Sequence, residues 1–129
     1  MAFLHCSLFW YDQIMKRIQK AEAVAFTNGP TCSGQEYSFG DNDLNIAIVT
    51  VTGRYPENGY VMNEVCKEAG YVVSGTGELG LKSGEKQAVA AGDAVLLQPG
   101  EKYYWEGDSL VLVMPCSPAF YPEQHQKVQ

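Results

Sequence analysis

The chain has 129 residues, 46% of them hydrophobic and 19% charged, with a formal net charge of -6. One domain with one core suits that length. The acidic balance, with Lys16, Arg17 and Lys20 as the nearest thing to a basic cluster, excludes a nucleic-acid partner, because phosphate binding needs a concentrated basic surface. Cys6, Cys32, Cys66 and Cys116 are widely spaced with no C-x-x-C pair, which fits neither a zinc motif nor a disulfide framework and points to a reducing cytoplasm.

In chain order, Leu4, Leu8, Tyr11, Met15 and Ile18 recur at steps of four and three, with Trp10 and Ile14 widening the face. That spacing predicts a helix over 7–19. An extended arm over 1–20 is the alternative. The apolar start lacks a basic region before it and is too short to span a bilayer, so neither a secretory signal nor a membrane anchor is expected. From residue 21 onward the pattern is β. Glu22 to Thr27 reads as an edge strand ended by Asn28-Gly29-Pro30, and Thr31 to Phe39 as a second strand. Gly40-Asp41-Asn42-Asp43 is a turn. Leu44 to Tyr55 is rich in β-branched residues, with Ile46, Ile48, Thr50 and Thr52 on one face and Ala47, Val49 and Val51 on the other.

Pro56 to Gly59 is a loop. Tyr71 to Val73 is a strand, Gly75-Thr76-Gly77 a tight turn, and Glu78 to Leu81 the returning strand. Further turns are expected at Ser83-Gly84-Glu85 and Ala91-Gly92-Asp93, then a strand over 94–97 stopped by Pro99-Gly100. Lys102 to Glu106 is a short aromatic strand, Gly107-Asp108 a turn, and Leu110 to Pro115 a buried strand. Pro122 can open one helical turn near the end. Short strands with turns at roughly ten-residue intervals predict an all-β antiparallel barrel or jelly roll over 21–129.

The stretch from Gly53 to Met114 resembles the cupin family of small barrels. Glu68 followed at family spacing by Gly75 matches the end of the first cupin motif. Gly92-Asp93 through Pro99-Gly100 matches the second. The resemblance implies a double-stranded β-helix, a cavity for a small molecule, and a homodimer. It also shows what is absent. Met62 and Glu64, or Val61 and Asn63, stand where the family has two histidines, and Tyr103 stands at the third. Of the usual ligands only Glu68 remains. His5 and His125 are the only histidines and lie near the termini, so neither a metal nor another cofactor is expected.

Strand alternation puts Met62, Glu64, Cys66 and Glu68 on one side. If that side is the interior, Glu64 and Glu68 form a carboxylate pair with raised pKa values, suited to acid–base work. The plainer alternative pairs Glu64 with Arg54 or leaves it in water. Tyr103 and Trp105 alternate likewise and would form a stacking wall for a sugar or similar polar ligand, with Asn63 as support; alternatively they simply fill the core. Cys66 has no positive neighbour on its own face and reads as inert, and His125 reads as a solvated tail residue. The expected ligand set is therefore Asn63, Glu64, Glu68, Tyr103 and Trp105, with Glu64, Glu68 and Tyr103 the catalytic candidates. Three functions stay open: a metal-free binder of a small polar molecule, a metal-independent sugar isomerase or epimerase, and a scaffold with a filled cavity.

Overall fold

A computed structural model describes residues 15–129. Most of the helix expected over 7–19 lies outside the described residues. Its last part, 15–19, is not helical and leads into a single 3-10 turn at Lys20–Glu22, where the Gln19 N–H donates to the Glu22 carboxylate at 2.9 Å.

Nine strands follow: β1 (Val24–Gly29), β2 (Cys32–Tyr37), β3 (Asn45–Tyr55), β4 (Tyr60–Asn63), β5 (Lys67–Leu81), β6 (Lys86–Ala90), β7 (Ala94–Leu97), β8 (Tyr103–Ser117) and β9 (His125–Val128). A 3-10 turn at Pro122–Gln124 precedes β9, with proline at the start where its missing N–H costs nothing. All pairings are antiparallel. One path of neighbours runs β1-β2-β3-β8-β4-β9, and β5 joins it by pairing β8, β6 and β7. The spine is β8, flanked along its length by β3 on one side and β5 on the other. The sheet curls around a core that includes Val49, Val51, Val61, Val72, Leu110, Leu112 and Met114. Val51, Val61, Val72, Leu110 and Leu112 are wholly buried, each worth roughly 1.5–3 kcal/mol of transfer free energy.

Two turns expected from glycine are bulges within continuous strands instead. Gly75-Thr76-Gly77 lies inside β5, and Gly107-Asp108 inside β8. The register between these strands shifts on both sides of Ser74, opposite Val111 and Asp108. Gly75 takes φ +84°, and a Cβ there would collide with the Ser109 carbonyl oxygen. The irregularities reverse which residues face inward. On β8 the buried set passes from Tyr103 and Trp105 to Leu110, Leu112, Met114 and Cys116; on β5 it passes from Gly70 and Val72 to Leu79. Tyr104 is buried as well, but among different neighbours. Its hydroxyl donates to Glu78 at 2.5 Å, and the Arg54 guanidinium sits 4.1 Å from its ring centroid.

Candidate functional site

The curled sheet encloses a cavity of about 300 Å³, at the small end of the range for ligand sites. Phe26, Val49, Met114 and Phe120 supply apolar lining; Tyr55, Glu68, Tyr103 and His125 supply the polar groups that concern chemistry. They come from four strands, and a fifth supplies the residue that joins them. β3 ends in Tyr55, β5 carries Glu68 as its second residue, β8 opens with Tyr103, and β9 opens with His125. β4 ends in Asn63, which is register partner to His125.

Asn63 is buried and joins these groups. Its Nδ2 donates to Glu68 Oε1 at 3.2 Å, and its Oδ1 lies 2.8 Å from His125 Nδ1. The buried Gln124 donates from Nε2 to Asn63 Oδ1 at 3.3 Å and accepts at Oε1 from the Val65 and Cys66 N–H groups. His125 Nε2 lies 2.9 Å from the Tyr55 hydroxyl, with the two rings stacked at 8°. Phe120 tilts at 59° to the imidazole, with ring centroids 5.9 Å apart.

Burial sets the protonation of this group. Loss of water around Glu68 pushes its carboxyl up to about 7, opposed by the Asn63 bond. Loss of water, then the nearby Lys127 charge, lowers His125 to about 4, so its imidazole is neutral at physiological pH. Tyr55 and Tyr103 are both pushed up by burial and stay phenols. Cys32, which also lines the cavity, is pushed up to about 11 by burial, so it is not a thiolate.

Of the residues singled out from sequence, Glu68, Tyr103, Trp105 and Asn63 meet at this cavity or directly behind it. Glu64 does not. It is exposed in the turn after β4, held by its backbone N–H donating to the Gln124 carbonyl at 2.8 Å. The two-residue phase assumed for 62–68 breaks there: Asn63 faces inward, the turn resets the alternation, and Glu68 faces inward again. Cys66 is buried away from the cavity with its thiol donating to the Pro118 carbonyl at 3.2 Å, and burial pushes that thiol up. Tyr103 and Trp105 are each 3% exposed and offer little open surface for stacking. His125 is no tail residue but part of the wall. It, Tyr55 and Gln124 are the members that reading the sequence missed.

The cupin motif implies a metal. Among the described residues no three His, Cys, Asp or Glu side chains gather as a metal site requires. Both ring nitrogens of His125 are already engaged by Asn63 and Tyr55, and the Glu68 carboxylate is bonded to Asn63. This donor set does not fit the metal of the motif.

No family model matches the sequence, and no curated protein matches it either. Solved structures do. Pac13, a nucleoside dehydratase, superposes with TM-score 0.77 at 23% identity over 89% of this chain and 92% of its own. Streptomyces PAC13 has also been solved with uridine in histidine-to-glutamine and tyrosine-to-phenylalanine variants. Ectoine synthase from P. lautus matches with TM-score 0.68 at 17% identity, over 89% of this chain and 91% of that one. An RmlC-like cupin from Shewanella frigidimarina matches with TM-score 0.66 at 19% identity, over 81% and 92%. The chain has the cupin fold.

Proposed function

We propose that this cupin-fold chain binds a small polar molecule of sugar or nucleoside size and acts on it by acid–base chemistry, with Glu68 carrying the proton. The observation behind the reading is the Glu68 carboxyl, set in a largely apolar chamber beside one hydrogen-bond donor and titrating at about 7. A carboxyl poised near neutrality exchanges protons in both directions, which a solvated one does poorly. Tyr103 lines the same chamber and stays protonated, so it can donate to a substrate oxygen where negative charge develops. The reaction class is proton removal from a carbon beside a carbonyl, the first step of isomerisation, epimerisation and elimination of water alike. The nucleoside dehydratase among the similar folds agrees with a substrate of this size.

A homodimer is proposed with it, because Tyr71, Val73 and Leu96 leave apolar surface exposed on β5 and β7. A reducing compartment suits the free thiols of Cys32, Cys66 and Cys116. No helix among the described residues is long and apolar enough to cross a membrane.

The test uses deuterated water. Small keto- and aldo-sugars, which carry a proton on the carbon beside the carbonyl, are screened for binding by calorimetry, and those that bind are followed by NMR for deuterium entering at that carbon. Wild type incorporates deuterium. Glu68→Gln loses at least about 100-fold of that rate with affinity kept. Glu64→Gln, altered at an exposed side chain, changes neither. Binding with no incorporation, or incorporation that survives Glu68→Gln, overturns the reading.

A further inference from the structure

The hydrogen bonds around Asn63 form a chain whose direction is dictated from one end. The backbone N–H groups of Val65 and Cys66 can only donate, and both point at one Gln124 side-chain atom, at 3.2 and 3.1 Å. That atom must be oxygen. The other terminal atom of Gln124 is therefore nitrogen and must donate, so the Asn63 atom it meets is oxygen. The same Asn63 oxygen lies 2.8 Å from His125 Nδ1. An oxygen with no proton can only accept, so His125 Nδ1 carries the hydrogen. The imidazole is neutral, which leaves Nε2 as a bare acceptor. The Tyr55 hydroxyl, 2.9 Å away, must then donate to it.

We infer that Gln124 and Asn63 are positioning residues that hold the His125 proton on Nδ1 and so turn Tyr55 into a hydrogen-bond acceptor toward the cavity. The Tyr55 proton is spent on the imidazole, and the phenolic oxygen keeps its lone pairs for a guest. That wall selects a ligand presenting an O–H or N–H group and disfavours one presenting only an ether or carbonyl oxygen there. Every link is buried or half-buried, so water does not readily substitute for a missing partner. The inference rests on the cavity binding a ligand, as proposed above, but not on any reaction occurring in it.

The test does not measure turnover. The chain holds only two histidines, so a long-range proton–nitrogen NMR spectrum of the imidazoles is simple to assign. Wild type at pH 7 is expected to show His125 with Nδ1 protonated and Nε2 bare. In Gln124→Glu the carboxylate still accepts from Val65 and Cys66 but cannot donate to Asn63. The Asn63 amide then turns over below pH 7, where Glu68 holds its proton and can donate to the amide oxygen; the amide nitrogen faces His125, and the two imidazole nitrogen signals exchange character. Asn63→Asp keeps an acceptor against Nδ1 and is expected to leave the proton where it was. Wild type protonated on Nε2 overturns the inference. So does a Gln124→Glu protein that folds without the exchange, or an Asn63→Asp protein that shows it. For the wall itself the probes are phenol and anisole, which share the ring and the oxygen and differ in the O–H, replaced in anisole by a methyl ether. Wild type prefers phenol, and Tyr55→Phe lowers the phenol-to-anisole affinity ratio about fivefold, the worth of one hydrogen bond. An unchanged ratio overturns the acceptor role. If Glu68 proves not to be catalytic, the nitrogen signals and this ratio stand unaltered, so the two ideas fail separately.

Discussion

Replacing Glu68 by glutamine is expected to make the protein more stable above neutral pH and leave it unchanged in acid. Burial raises the carboxyl from 4.5 to about 7. Below the unfolded value both states carry the proton and the group has no effect on stability. Between the two values the folded state binds more protons than the unfolded one, so stability falls as pH rises. Above the folded value both states are ionised and the full cost is present. At about 1.4 kcal/mol per pH unit, that cost is about 3 kcal/mol. Glutamine keeps the shape and the oxygen that accepts from Asn63, and cannot ionise. For a chain of this size the difference corresponds to a gain of roughly 10 °C in Tm at pH 8 over wild type, shrinking to nothing near pH 4. Circular-dichroism melts of both proteins from pH 4 to 9 measure it. A Tm difference that stays flat across that range refutes the reasoning, because the carboxyl would then be solvated or firmly paired.

His125 carries the opposite sign. Its pKa is lowered from 6.5 to about 4, so the folded state binds fewer protons and stability is lost as pH falls through that window. Measured by urea denaturation, His125→Gln should gain on wild type by about 3 kcal/mol between pH 7 and pH 4, before any constant cost of the lost contacts. Leu112 is wholly buried on the spine, and Leu112→Ala is expected to cost 2–5 kcal/mol in the same assay, as roughly any such cavity does. Gly75→Ala combines positive φ with the collision at Ser109; a loss of about 2 kcal/mol or more is expected, and a neutral result would mean that the bulge relaxes freely.

Most strands were legible because their local signals agree. The run from Leu44 to Tyr55 alternates as expected, with Val49 and Val51 buried. What misled was glycine inside long strands. Gly75 and Gly107 look the same in sequence whether they turn the chain back or only bulge it. The parity of the apolar residues held the answer: Tyr103 and Trp105 are odd, Leu110, Leu112 and Met114 even, and only an extra residue within one strand puts both sets inside. The same blindness to phase moved Glu64 inward, since no residue at 64–65 announces that the alternation restarts. Glu68 and Tyr103 were visible through the cupin resemblance. His125 was not. Nothing near it in sequence indicates that β9 returns to pair with β4, and a histidine four residues before the last one reads as solvated until that pairing is known.

The site draws its members from positions 55, 63, 68, 103 and 125, one from each of five strands. No two adjacent strands in the chain can build it, because β4 must find β9 and β5 must find β8 across long stretches of sequence. A partly assembled barrel leaves Glu68 in water, where it titrates as an ordinary acid and has no special reactivity. The raised pKa of Glu68 thus depends on closure of the barrel, and the protonation of one carboxyl reports on whether the whole molecule is finished.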